Sequence, residues 1–315
     1  MEWTPRLPWH DLPQDVRRRV EEQLGAPVTG VDTVTGGFSA GFAGVVRTAR
    51  GPVFLKATSE TVNSHGRALY RQEHRACRLL VATRAPVGFL WGFDHREWTV
   101  LAFRAVSGEI CGPGWPPAQL DAVLRLLRET RTTAPAGLPT VTRLLGDTFD
   151  AWSVLADDPA FDAWPTDTTG AELLPPHQWA ALAERARQAF TGDELLHADL
   201  RADNILWTGT GPVLVDWAYA CRGAAAFDPV YLLLEVARAD GRPPERQLAQ
   251  VVTAYGCAHA DATALLAAFG GWFTWMSRMP PIPALPTLRD FQKDMARAAI
   301  AWAAARLPGR ARPQP

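Results

Sequence analysis

Four polar residues are spaced around two short apolar runs between Leu195 and Trp217: His197, Asp199, Asn204 and Asp216. Ile205–Trp207 and Val213–Val215 are β-type runs, and Thr208-Gly209-Thr210-Gly211-Pro212 between them is a turn signal. Pairing as an antiparallel hairpin, in a register symmetric about Thr210, predicts Asn204 opposite Asp216 and Leu206 opposite Leu214. Directly opposed residues hold their Cβ atoms about 5 Å apart. Two side-chain oxygens would then point at one spot. That donor set suits Mg²⁺, which takes hard oxygen ligands and keeps substrate phosphates and waters as the rest. Asp199, five residues before Asn204, lies on the loop feeding the hairpin, where it can face the same ion without ligating it. The plainer alternative makes His197, Asp199 and Asn204 loop caps, but a turn rarely needs so many polar groups before an apolar hairpin.

The elements that must position these residues are legible in outline. Pro13–Leu24 predicts a helix, with Val16, Val20 and Leu24 on one face and Gly25 as its stop. Its Arg17-Arg18-Arg19 run is a solvated face. Val31–Val34 and Val45–Arg47 predict strands flanking the glycine-rich stretch Thr35–Gly44. Glycines let a backbone approach a ligand and turn N–H groups toward anionic oxygens, although a hairpin tip alone explains them too. Val53–Ala57 is a strand carrying Lys56 among apolar neighbours, so its charge needs a partner. The helix from about Gly66 to Val81 has one acidic residue, Glu73, among Arg67, Arg71, Arg75 and Arg78; a surface partner is one reading of it and an ion pair with Lys56 the other. Val87–Phe93 and Trp98–Arg104 add two strands. Beyond Gly108 helices dominate: Pro117–Thr130, Asp147–Leu155, His177–Phe190, Asp228–Ala239, Arg246–Tyr255, Ala260–Arg278 and Leu288–Leu307. Asp228-Pro229 has the form of a helix N-cap and first turn, so Asp228 is expected to cap that helix and to brace the polar loop before the hairpin.

His-x-Asp-x-x-x-x-Asn followed by a strand ending in Asp resembles the catalytic loop and metal aspartate of protein-kinase-like phosphotransferases. Val215-Asp216-Trp217, Gly223 and Phe227-Asp228-Pro229 are closer to the aminoglycoside phosphotransferase and choline kinase branch. The resemblance implies an α+β, two-lobed protein-kinase-like fold. Residues 1–107 would form a nucleotide-binding lobe, a five-stranded antiparallel sheet with a helix, and 108–315 a mostly helical lobe carrying the catalytic hairpin and the acceptor site. It implies ATP, with GTP possible, and Mg²⁺. Asp199 would be the catalytic base, Asn204 and Asp216 the metal ligands, and Lys56, fixed by Glu73, the partner of the donor's phosphates. Gly37, Ser39 and Gly41 would belong to the loop over the nucleotide, His197 would organise the catalytic loop, and Ala105–Gly108 would be the hinge at the purine. Arg201 stands where protein kinases often carry Lys.

No Asp-Phe-Gly and no Ala-Pro-Glu occurs, so a protein substrate is not expected. The acceptor is expected to be a small-molecule hydroxyl, with Asp157, Asp158, Asp162 and the Trp272, Trp275 pair as candidate walls. The acidic residues are otherwise a solvated loop, and the tryptophans core packing with Phe269 and Met276. An antibiotic of the aminoglycoside type is the leading acceptor class. A metabolic kinase of choline, homoserine or a sugar is the neighbouring alternative, and a non-catalytic nucleotide-binding module the more distant one.

The bulk composition agrees with a globular protein of 315 residues and net charge −1, which implies neither a nucleic-acid partner nor a membrane surface. Met1–Ser107 holds 14 basic and 10 acidic residues and the remainder 18 and 23, a weak asymmetry suited to a polyphosphate donor and a cationic acceptor. Cys77, Cys111, Cys221 and Cys257 form no CxxC pair, disulfide framework or zinc pattern. The start has no signal-peptide core, and the longest apolar stretch, Ala262–Met276, falls short of the roughly 20 residues of a membrane span. A cytoplasmic monomer or weak dimer is expected.

Overall fold

The structure, a computed structural model, describes residues 6–34, 41–81, 83, 88–110, 114–158, 174–282 and 285–307. Gly37, Ser39 and Asp162 lie outside the described residues. The chain divides into two compact units. The first gathers residues 1–110, 203–219 and 281–287; the second gathers 111–202, 220–280 and 288–315. The hairpin of residues 205–214, expected in the helical lobe, is grouped here with the sheet.

In the first unit, β1 (Gly30–Thr33), β2 (Phe42–Thr48), β3 (Gly51–Ser59), β4 (Phe89–His95) and β5 (Trp98–Arg104) form one antiparallel sheet in the order β1-β2-β3-β5-β4. Helix α1 (Gln14–Leu24) lays Val16, Val20 and Leu24, with Leu12 just before it, against Phe42, Val46, Leu55, Trp98 and Val100 of the sheet. Gly25, at φ 66°, ends it in the left-handed conformation. Helix α2 (Glu60–Leu80) begins earlier than its periodicity suggests: Ser59 caps it, Asn63 leaves helical geometry, and the Asn63 side chain accepts from Gly66 N–H to restart the turn. From there Gly66, Tyr70, Glu73, Cys77 and Leu80 form the buried face. The short β6 (Glu109–Ile110) pairs with β8 (Ile205–Thr208), which pairs with β9 (Gly211–Leu214).

The second unit is helical: α3 (Pro117–Glu129), α4 (Val141–Leu144), α5 (Gly146–Ala156), α6 (Pro176–Ala189), α7 (Phe227–Asp240), α8 (Glu245–Tyr255), α9 (His259–Ser277) and α10 (Leu288–Ala305). Helix α9 is its centre. Gly270 and Gly271 let Ile300 and Trp152 approach so closely that a Cβ would sit 2.8 and 2.6 Å from them, and Trp152 Nε1 donates to Ala267 O at 2.7 Å. A two-stranded ladder, β7 (Glu194–Leu196) with β10 (Cys221–Gly223), carries the loop that follows Leu196. Among the described residues no helix is long and apolar enough to cross a membrane.

Candidate functional site

The hairpin is real, but its register differs from expectation by one residue. Ile205 pairs with Leu214 and Leu206 with Val213, because the loop closes in two residues, Gly209 and Thr210, with Gly211 at φ 123°. Val215 N–H donates to Asn204 O at 3.0 Å, so Val215, not Asp216, stands opposite Asn204. Asp216 reaches the site by another route. Its φ is 66°, a left-handed turn that aspartate tolerates better than most residues, and it brings Oδ2 to 3.3 Å from Lys56 Nζ.

Lys56 is fixed by the sheet, opposite Ala43 on β2 and Leu101 on β5. Its ammonium donates to both carboxylate oxygens of Glu73, at 3.0 and 2.9 Å. Tyr70 and Phe103 present their rings 5.8 and 5.5 Å from the same nitrogen. Burial by itself would lower the pKa of Lys56, but Asp216 and Glu73 outweigh it and hold the ammonium charged far above its ordinary range. Burial pushes the Glu73 carboxyl up, while Lys56 and the Trp217 N–H pull it back. The cation is thus held between two carboxylates, one fully buried and one 40% exposed, which leaves the Asp216 side of the cluster open to solvent. Asn204 is buried at the end of the short turn that leads into β8. Among the described residues no group of three or more His, Cys, Asp and Glu could hold a metal. An ion held by Asn204 and Asp216 would accordingly have to complete its shell with phosphates and water. Gly41 lies at the edge of the described part of the glycine-rich loop. Its φ is 138°, and a Cβ there would lie 2.7 Å from the Ala57 carbonyl oxygen, so glycine is needed for the backbone to pass β3.

Asp199 belongs to the second unit. Arg201 Nη1 donates to both of its carboxylate oxygens, at 2.9 and 3.1 Å, and the Arg201 guanidinium lies 5.9 Å from the centre of the Phe291 ring. Arg238, bonded to the buried Glu235, lies 5.0 Å from the same ring.

Asp228 does not cap α7. The helix opens at Phe227, Ala226 is its N-cap, and Asp228 falls inside the first turn. Its carboxylate instead accepts the backbone N–H groups of His197 and Ala198, at 2.7 and 2.8 Å. Ala198 has φ 60°, so Asp228 braces a strained turn directly before Asp199. Burial raises the Asp228 carboxyl above its ordinary range, and the two N–H donors and His197 oppose that shift. Replacing Asp228 with Ala leaves two buried donors unpaired, which costs about 1–3 kcal/mol for such a group. Asp228→Ala is therefore expected to lower the denaturation midpoint, and Asp228→Asn, which keeps one acceptor oxygen, to lower it less. Equal midpoints in urea melts would show that the brace is unnecessary.

Of the acceptor candidates, Asp157 is exposed at the end of α5, and Asp158 is paired with Arg278 at 3.3 Å. Trp272 and Trp275 pack edge to face with centroids 5.6 Å apart. Both are only partly buried, whereas Phe269 and Phe273 on the same helix are in the core; core packing alone does not account for them. Sequence reasoning passed over Gln72 and Phe291, for which composition and spacing carry no signal.

The profile of the Phosphotransferase enzyme family matches residues 38–272. The thiamine kinase of Salmonella paratyphi B (strain ATCC BAA-1250 / SPB7) is 35% identical over 82 residues, covering 26% of this chain and 27% of that enzyme. The match thus spans about a quarter of that relative's length. Among solved structures, the choline kinase LicA from Streptococcus pneumoniae has a TM-score of 0.57 at 14% identity, over 91% of this chain and 98% of its own. The aminoglycoside phosphotransferase APH(4)-Ia, solved with AMP-PNP and hygromycin B, has a TM-score of 0.55 at 16% identity, over 94% and 100%. At such identities the likeness establishes the fold, which is protein-kinase-like.

Proposed function

Because the chain belongs to the phosphotransferase enzyme family, we propose that it transfers the γ-phosphate of ATP, or of GTP, to a hydroxyl of a small molecule. The observation that carries this reading is Lys56, bonded to both Glu73 oxygens and 3.3 Å from Asp216. Such a cation, fixed by a buried carboxylate and still facing a partly exposed one, is suited to the α- and β-phosphates of the donor. Asn204 and Asp216 would hold Mg²⁺, which when bound supplies positive charge against the phosphates. Asp199 accepts the proton of the acceptor hydroxyl, and Arg201, bonded to both of its oxygens, orients the carboxylate. Asp228 holds the His197–Ala198 turn so that Asp199 is presented in one conformation. This division of labour supplies positioning and charge neutralisation, the bulk of what phosphoryl transfer needs.

For the acceptor we favour an antibiotic of the aminoglycoside type or a related one. The Asp158–Arg278 pair favours a second reading, a metabolic kinase of a small alcohol. One of the two described candidate carboxylates is already neutralised, so less negative charge remains for a polycationic drug. The partly buried Trp272–Trp275 pair suits either acceptor through its ring faces. A binding module without catalysis is disfavoured by the competent residue types at Lys56, Glu73, Asp199, Asn204 and Asp216. The deciding experiment incubates the protein with Mg·ATP or Mg·GTP and a panel of antibiotics and small metabolic alcohols, then reads mass. Gain of one phosphate by a single compound class identifies the acceptor. Transfer to none, with nucleotide bound, would favour the binding module.

A further inference from the structure

We propose that Gln72 is a positioning residue for the metal carboxylate, acting through the backbone that follows Asp216; this rests on the phosphotransferase reading above. Gln72 Nε2 donates to Ala218 O at 2.7 Å, across 146 residues of sequence and within the first unit. Its neighbour Glu73 accepts the N–H of Trp217 while bonding Lys56. Two successive α2 side chains therefore hold the Asp216–Trp217 and Ala218–Tyr219 peptides, which bracket the start of the Trp217–Tyr219 turn. Asp216 stands immediately before that turn in the left-handed conformation, which relaxes unless both flanks are fixed. One flank is fixed by the Val215 N–H bond to Asn204 O and by Trp217 Nε1 donating to Leu214 O at 3.4 Å. The other is fixed by Gln72 and Glu73. Glu73 has a second task at Lys56; for Gln72 the Ala218 carbonyl accounts for the side chain. Ala218 is 5% exposed, so water cannot readily replace the lost donor.

The consequence is selective. Loss of the Gln72 bond loosens the Asp216 carboxylate while leaving the Lys56–Glu73 pair intact, so metal-assisted nucleotide binding weakens and metal-free binding does not. The test titrates Mg²⁺ into the full chain with a fluorescent nucleoside triphosphate, and repeats the nucleotide titration in chelator. For Gln72→Leu, the Mg²⁺ concentration at half-maximal response should rise about fivefold, as expected for one neutral hydrogen bond, with unchanged affinity in chelator. Gln72→His, which restores a donor of similar reach, should return toward wild type. If Gln72→Leu fails to fold, Gln72→Glu provides the same readout with an acceptor facing the carbonyl. A variant that titrates with Mg²⁺ like wild type, or that loses metal-free affinity in equal measure, overturns the positioning role alone. A wild-type chain that binds no nucleotide under either condition overturns the phosphotransferase reading instead.

Discussion

Asp199→Asn should abolish most turnover while leaving nucleotide affinity close to wild type. A general base contributes about 10²–10⁴-fold to a transfer of this kind, and the amide has no basic lone pair to take the acceptor's proton. Lys56, Glu73, Asn204 and Asp216, proposed for the nucleotide and its metal, are in the first unit, whereas Asp199 and its partner Arg201 are in the second. The substitution is nearly isosteric and keeps an oxygen for Arg201 to bond, so a fold change is not expected to confuse the result. Turnover is read by phosphate transfer to the acceptor that the screen identifies, and affinity by titration of the same fluorescent nucleotide. If affinity fell as far as turnover, Asp199 would be a nucleotide ligand and the base would have to be sought elsewhere. Arg201 sharpens the expectation. A guanidinium bonded to both Asp199 oxygens holds the carboxylate in one orientation, so Arg201→Leu should lower turnover while leaving nucleotide affinity close to wild type.

The parts of this site that sequence made legible are those in which local chemistry dictates local structure. Lys56 had to find a carboxylate because it lies in an apolar strand, and Glu73 is the acidic residue on the buried face of the following helix. The polar loop before an apolar hairpin announced itself by residue type. Two details were lost because they depend on a single residue of geometry. The hairpin closed with two loop residues in place of three, which moved Asp216 off the position opposite Asn204 and left its direction to a left-handed backbone turn. The Asp228-Pro229 pair resembled a cap, yet α7 starts one residue earlier and leaves the carboxylate to accept from His197 and Ala198, some 30 residues back along the chain. Gln72 and Phe291 were invisible for a related reason. A glutamine on an arginine-rich helix and a phenylalanine in an amphipathic one follow ordinary patterns, and only tertiary structure brings them to Ala218 O and to Arg201.

Lys56→Met should damage stability as well as function, and the size of the damage should depend on pH. Glu73 is completely buried, and removing its ammonium partner leaves a lone buried carboxylate facing Asp216, a loss that typically costs about 3–5 kcal/mol. The protein escapes part of that cost by keeping Glu73 protonated, since burial and Asp216 both raise its carboxyl above the ordinary 4.5. For an acid whose folded-state pKa lies above its unfolded value, the folded state binds the proton more tightly. Stability therefore falls as pH rises from the unfolded value toward the folded one. The Lys56→Met deficit relative to wild type should accordingly be small near about pH 5 and grow toward about pH 8. Adding Glu73→Gln removes the charge that the methionine cannot balance, so the double variant should recover most of the lost stability at the higher pH while still binding nucleotide weakly. Urea denaturation of wild type, Lys56→Met and the double variant at the two pH values measures this directly. A deficit that is the same at both pH values, or a double variant no more stable than the single, would mean that the buried pair is not the origin of the cost, and that Lys56 is held by its sheet and aromatic contacts instead.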